Sequence, residues 1–174
     1  MPRLGAAMPS PDDELVNSGG LRLVFEETAD TTGGELVRVR AFHPPGTEEP
    51  IEHYHPFQEE RFEVVAGEMT AVVDGRERVY GAGERFTVAP EAVHAMWNAG
   101  PAPAELLRET RPALKTGEFF ERIWGLRGKP GPLEFAVIAR VYDEEFRVVK
   151  PPRAVQRAVF PLLSVVGRLR GHRA

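Results

Sequence analysis

The sequence has no cysteine and no long apolar run, and both absences limit what the chain can be. Without cysteine there is no disulfide, and any metal site must use nitrogen and oxygen ligands. No segment approaches the ~20 consecutive apolar residues that a helix needs to cross a bilayer. Residues 1–18 also lack the apolar core of a signal peptide and predict a loose N-terminal tail. We therefore expect a cytoplasmic protein.

Acidic residues are missing from one end of the chain. The 174 residues include 22 Lys and Arg against 26 Asp and Glu, which gives a formal net charge of -4. Residues 150–174 carry six of the basic residues and no acidic residue. The rest of the chain is therefore acidic, and we expect no nucleic-acid partner for it.

Residues 19–112 have the pattern of an all-β core. Short segments with strand character occur at 21–27, 35–42, 68–73, 76–80, 85–89, 94–98 and 104–111. Asp74-Gly75 separates two of them and predicts a tight hairpin, because both central residues of that turn tolerate positive φ. Many short strands at regular spacing are typical of an antiparallel sandwich or barrel.

Residues 113–174 predict a helical extension. Helices are expected at 117–126, 133–148 and 153–169, the last bent at Pro161. We expect this extension to pack on the barrel or on a dimer partner. The basic residues of its last helix leave two alternatives open, an anionic lipid surface and an acidic partner.

Three of the five histidines fall in two short segments of the predicted barrel. His53 and His55 are two residues apart, so on a strand both point to the same face. Pro56 then ends the strand, and the turn allows Glu60 on the next strand to face inward beside them. His94 follows a later turn. Imidazole and carboxylate groups are good ligands for Fe, Mn, Ni, Co, Cu or Zn, and these four residues predict one divalent metal site.

These two segments resemble the two motifs of the cupin superfamily. The first motif has the order His-x-His, Glu, Gly, and the matching positions are His53, His55, Glu60 and Gly67. The second motif is matched by Gly83, His94 and Asn98. Glu59 is the competing carboxylate, but the spacing to Gly67 favours Glu60. The resemblance covers roughly residues 36–111.

Two positions depart from the second motif. Ala89 stands where the motif has Pro, and Glu91 stands where it has Gly. The Gly serves a tight turn, so we expect either that Glu91 adopts an unfavourable backbone conformation or that the turn differs. Neither position is a ligand, and the predicted metal site is unaffected.

The resemblance implies a double-stranded β-helix (jelly-roll) barrel, one divalent transition metal ion and a homodimer. It also implies that Glu60 can act as a catalytic base. The cupin fold hosts many reactions, so the reaction must be argued from the site. The apolar residues expected on the inner face indicate a small, uncharged substrate, such as an aromatic or polyketide-like molecule, and oxygenase-like chemistry. The alternatives are a non-catalytic ligand-binding module with a structural metal and a metal-dependent isomerase or cyclase.

Several other residues could lie in a substrate pocket, in the core or at the surface. The candidates for a substrate pocket are Gln58, Phe62, Met96 and Asn98. For the two apolar candidates the simpler interpretation is barrel core, and for Asn98 it is a turn. Arg108, Glu109 and Arg111 could reach the interior or form surface ion pairs, because alternation alone does not decide. His43 is expected in a loop or at the surface.

Overall fold

The computed structural model describes residues 9–126 and 128–172, which form two antiparallel sheets and three helices. The first strands are β1 (Glu14–Val16), β2 (Arg22–Glu27), β3 (Val37–His43), β4 (His53–Tyr54), β5 (Glu59–Ala66) and β6 (Glu68–Val73). They are followed by β7 (Arg76–Gly81), β8 (Arg85–Val88), β9 (His94–Trp97) and β10 (Ala104–Arg111). The extension contains α1 (Thr116–Trp124), α2 (Pro132–Val141), β11 (Arg147–Val148) and α3 (Arg153–Leu169).

The two sheets enclose one hydrophobic core. One sheet has the order β1-β2-β3-β10-β5-β8 and the other β11-β4-β9-β6-β7. On β3 the side chains alternate, so that Val37, Val39 and Ala41 are buried while Arg38 and Arg40 lie on the outer face. This arrangement confirms the predicted all-β jelly-roll core with C-terminal helices.

Two turns depend on residues with positive φ. Asp74 (φ 49°) and Gly75 (φ 74°) join β6 to β7, which confirms the predicted hairpin. Gly67 (φ 74°) separates β5 from β6. A Cβ atom on Gly67 would lie 2.5 Å from the carbonyl oxygen of Pro103, so only glycine fits there.

Part of the predicted N-terminal tail is an ordered strand. Residues 14–16 form β1 and pair antiparallel with β2 in the register Glu14↔Val24 to Val16↔Arg22. The prediction of a loose segment is therefore wrong for this strand, whose three residues are too few to show a periodicity. Residues 1–8 of the predicted tail lie outside the described residues.

The second predicted helix, 133–148, is wrong for its last seven residues, 142–148. α2 ends at Val141, and the chain then forms β11, which pairs with β4. The apolar spacing predicted one helix because Phe146 falls at a helical position, but its backbone leaves the helix and its ring packs against His53. α1 and α3 occupy their predicted positions, and Pro161 lies inside α3.

The extension packs on the barrel through α1 and α2. Phe119 and Phe120 of α1 join the core cluster, as do Ile138 of α2 and Tyr142 just after it. α3 instead packs on α2, and most of its apolar side chains are exposed. These side chains therefore do not dock on the barrel, and docking on a second subunit, the other half of that expectation, stays a prediction. No helix in the described part of the chain has both the length and the apolarity to span a membrane.

Candidate metal centre

Three predicted histidines come together inside the barrel. His53 on β4 and His94 on β9 are direct partners across the two strands, with ring centroids 4.3 Å apart. His55 follows β4, and its ring lies 5.2 Å from His53 and 5.1 Å from His94. One ring nitrogen of each histidine lies within 4.8 Å of those of the other two. His53 and His55 lie close together because residues two apart on a strand point to the same side of it.

Backbone carbonyl groups fix the tautomer of all three imidazoles. Nδ1 of His53 lies 3.1 Å from the carbonyl oxygen of Ile51, and Nδ1 of His94 lies 3.1 Å from that of Ala92. Nδ1 of His55 contacts the carbonyl oxygen of Glu145. A carbonyl oxygen can only accept, so each Nδ1 carries the proton and each Nε2 presents a lone pair. Such bonds are typical partners of metal-ligating histidines.

The Glu60 carboxylate faces these imidazoles from the opposite sheet. Its Oε2 lies 3.4 Å from Nε2 of His55 and 3.3 Å from Nε2 of His94. Its Oε1 accepts hydrogen bonds from the Arg108 guanidinium and from the Thr110 hydroxyl, the latter at 3.2 Å. Burial alone would raise its pKa, but the charge of Arg108 holds the pKa of Glu60 well below its usual range. Glu60 is therefore a buried, ionised carboxylate.

The donor set fits a metal ion. Nε2 of His55 is buried without a hydrogen-bond partner, and it faces Oε2 of Glu60, which like it is a lone-pair donor. Two lone pairs facing each other in a buried site repel unless a cation lies between them. Ligand atoms held tetrahedrally at about 2.0–2.2 Å from one ion are about 3.4 Å apart, which matches both Nε2–Oε2 distances. The three histidines form the compact group of candidate ligands, and the Glu60 carboxylate lies beside two of them, His55 and His94.

Arg108 lies inside the barrel, whereas its neighbours on β10 lie outside. Its guanidinium lies 4.6 Å from the ring centroid of Phe120. By contrast, Glu109 forms surface ion pairs with Arg38 and Arg111. The alternation left open by the sequence is thus resolved, with Arg108 and Thr110 inward. The sequence pattern that indicates this orientation is the apolar pair Ala104 and Leu106, which alternate along β10 in phase with Arg108 and are buried.

The C-terminal extension contributes to the centre from outside the two motifs. β11 pairs with β4 so that Val148 is opposite His53. The Phe146 ring lies 4.9 Å from the His53 ring at an interplanar angle of 33°. The Glu145 carbonyl orients His55. Sequence reasoning missed these residues, because neither a backbone carbonyl nor a phenyl ring carries a spacing signal for a metal site.

The four pocket candidates have different surroundings. Gln58 is buried, and its amide donates to the carbonyl of Pro112 at 2.7 Å and to Oγ1 of Thr116 at 2.8 Å. Asn98 is fully buried, and its amide donates to the carbonyl oxygens of Pro44 and Ala102. Both amides thus hold loops together.

The two apolar candidates pack in the core. Phe62 is buried and stacks on Phe86 with ring centroids 4.7 Å apart. Met96 is partly buried against the same core.

Two other predicted details can be compared with the structure. His43 is 6% exposed, so the expectation of a surface position is wrong, since the end of β3 turns this side chain inward. Burial, together with the charge of Arg108, lowers the pKa of His43 to about 4. Glu91 has φ 66°, which confirms its predicted unfavourable conformation, and its N–H donates to the carbonyl of His55 at 2.8 Å.

The fold and the site define a double-stranded β-helix protein with a three-histidine centre. The family model described as Cupin domain matches residues 39–108, so the barrel strands from β3 to β10 contain a cupin domain. That match ends before α1, so the helical extension lies outside it. A search of the curated proteins found no match to this sequence.

Solved cupin structures resemble the barrel. An RmlC-like cupin from Shewanella frigidimarina NCIMB 400 is 26% identical, with a TM-score of 0.52, over 60% of this chain and 87% of that chain. A predicted oxalate decarboxylase from Thermotoga maritima is 18% identical, with a TM-score of 0.52, over 59% and 92%. KdgF from Halomonas sp. is 17% identical, with a TM-score of 0.50, over 57% and 86%. The latter two similarities concern the fold alone.

Proposed function

We propose that the protein binds one divalent transition metal ion through Nε2 of His53, His55 and His94 and through Glu60. One observation carries this proposal: the unpartnered Nε2 of His55 and Oε2 of Glu60 face each other at 3.4 Å in a buried site. A cation between them converts an unfavourable contact of two lone pairs into two coordination bonds. The low pKa of the Glu60 carboxyl supports the same conclusion, since only the ionised form is a ligand.

The function that this centre supports best is a metal-dependent, oxygenase-like enzyme for a small, uncharged substrate, aromatic or polyketide-like. A bound ion would supply Lewis acidity or redox chemistry. Phe146 provides aromatic surface beside His53. The inward guanidinium of Arg108 is already matched by Glu60, so it offers no excess positive charge to an anionic substrate. Glu60 would accept a proton from the substrate when it leaves the ion.

A second candidate function is a non-catalytic module in which the ion stabilises the barrel. The observation that favours it is the cover over the centre. His55 and His94 are 3% and 4% exposed, and the Phe146 ring lies against His53. In this case the ion would link β4 and β9 to β5 and raise stability without turning over a substrate.

Metal content tests the shared part of both candidates. The protein is purified without added metal and measured by elemental analysis beside a His53→Ala/His94→Ala variant. The control is His172→Ala, which removes a histidine beyond the end of α3. We expect about one equivalent of metal in the parent and in the control, and almost none in the double variant. Folded parent protein that binds none of the added metals Fe, Mn, Ni, Co, Cu and Zn would refute the centre.

Metal identity and oxygen uptake separate the two candidates. Iron, copper or nickel together with substrate-dependent oxygen consumption on a panel of catechols and polyketide-like phenols supports the oxygenase. Zinc alone, a higher melting temperature with metal and no oxygen consumption support the structural module. Turnover of phosphorylated sugars alone would refute the proposed substrate class.

A further inference from the structure

The last helix of the protein exposes its apolar side. Large apolar side chains on α3 have these exposed fractions: Val155 44%, Val159 38%, Leu162 70%, Val165 59%, Val166 41% and Leu169 83%. Most of them recur at intervals of three or four residues, so they form one continuous stripe along the 17-residue helix. We call this set the α3 stripe. Within the described part of the chain nothing covers it.

α3 is held to the protein by its small and polar side instead. A Cβ on Gly167 would lie 2.9 Å from the carbonyl oxygen of Leu133, so α3 and α2 approach as closely as only glycine permits. Gln156 is buried, and its amide donates to the carbonyl of Val148 at 2.8 Å and to that of Pro151 at 2.7 Å. These contacts fix the rotation of the helix, and the α3 stripe cannot turn inward without breaking them.

Only positive charge surrounds the α3 stripe on its own helix. Arg157, Arg168 and Arg170 are exposed, and none of the ion pairs found among the described residues includes them. At ~100° per residue, Arg157 and Arg168 lie on one side of the stripe and Arg170 on the other. The sequence has no acidic residue after Glu145. An exposed apolar stripe with arginines on both sides and no acid has the chemistry of a helix that lies in a lipid interface.

We propose that α3 binds the surface of an anionic lipid bilayer, with the α3 stripe in the acyl boundary and its arginines at the headgroups. A second copy of the chain is the other occupant that the stripe could accept. Pairing two α3 helices would bring their arginines together without any acidic side chain on either helix, which charge repulsion opposes. A bilayer of anionic lipid provides both the apolar layer and the negative charge.

The full-length protein is tested by flotation with vesicles of phosphatidylglycerol and, separately, of phosphatidylcholine. We expect binding to the anionic vesicles only. Each basic residue near an anionic surface strengthens binding roughly fivefold, so Arg157→Gln/Arg168→Gln/Arg170→Gln should weaken it about a hundredfold. Salt at ~0.5 M should also release the protein, because the attraction is then screened over a few ångströms.

A matched pair of variants tests the α3 stripe itself. Leu162→Glu/Leu169→Glu should weaken vesicle binding at least tenfold. The control Val16→Glu/Val79→Glu changes two exposed valines of the barrel, and it should weaken binding only as far as its two added negative charges do. Circular dichroism and metal content verify that all variants are folded. A parent protein that does not float with either vesicle overturns the proposal. If sedimentation then shows a dimer that the Leu162→Glu/Leu169→Glu variant cannot form, a second copy occupies the stripe.

Discussion

Acidification should destabilise this protein through His43, a histidine that takes no part in the metal centre. The side chain is buried at the end of β3, and burial with the charge of Arg108 lowers its pKa to about 4. In the unfolded chain a histidine titrates near ~6.5. Between these two values the unfolded state binds a proton that the folded state cannot bind, so the free energy of unfolding falls as the pH falls.

The sign and size of the effect follow from those two pKa values. Above pH ~6.5 His43 is neutral in both states and contributes no pH dependence. The linkage relation gives a loss of about 2 kcal/mol at pH 5 and about 3 kcal/mol at pH 4, with little further loss below the folded pKa of about 4. Such a loss is a large fraction of the stability of an ordinary domain.

The measurement compares the parent with His43→Leu, which replaces the imidazole by an apolar side chain of similar size that cannot take up a proton. Urea unfolding is followed by tryptophan fluorescence between pH 7 and pH 4.5, with chelator present so that metal release does not contribute. The two variants should differ by a free energy that changes by about 2 kcal/mol between pH 7 and pH 5. The His172→Leu control should run parallel to the parent. A parent-minus-His43→Leu difference that is flat over this range would refute the reasoning.

Other predictions follow from backbone conformation and from Arg108. Glu91→Gly should raise the free energy of unfolding by about 1 kcal/mol, measured by urea unfolding, because φ 66° costs glycine almost nothing. Gly67→Ala should lower the free energy of unfolding by several kcal/mol, or prevent folding, since its Cβ would lie 2.5 Å from a backbone oxygen. Gly33→Ala, also at positive φ but with open space around it, should lower it by only about 1 kcal/mol. Equal losses in the two variants would contradict the steric argument. Arg108→Met should weaken metal binding about 10–100-fold in a chelator competition, because Glu60 then loses the partner that keeps it ionised and oriented; unchanged affinity would show that the guanidinium does not act through the carboxylate.

The barrel and the cluster of three histidines were accessible from the sequence because both depend on short-range spacing. Two histidines two residues apart must share a face of a strand, and Asp74-Gly75 has few alternatives to a hairpin. Glu91 could be recognised as strained because the second motif has glycine at this position of its turn. By contrast, β1 has three residues and β11 two, which is too short for any periodicity, and the strand pairing that defines them comes from elsewhere in the chain.

The orientation of α3 could not be derived from its own sequence. Apolar periodicity locates a stripe on a helix but not the partner that covers it. Here Gly167 lets α2 approach within van der Waals distance, and Gln156 is held by two carbonyl oxygens, so the small and polar side is buried. Amphipathic spacing alone predicts the opposite rotation.

The extension beyond the cupin match also contributes to the candidate metal centre. The carbonyl of Glu145 orients the His55 ring, and Val148 pairs with His53, so two of the three imidazoles depend on residues that follow the barrel. The carbonyl of Val148 in turn accepts a hydrogen bond from the side-chain amide of Gln156 on α3. Strand pairing and hydrogen bonds to backbone carbonyls therefore join the helix with the exposed stripe to the candidate ligands. It follows that truncation after the barrel would remove the partners of His53 and His55 along with the helices, so the chain must be tested in full for metal binding and for lipid binding alike.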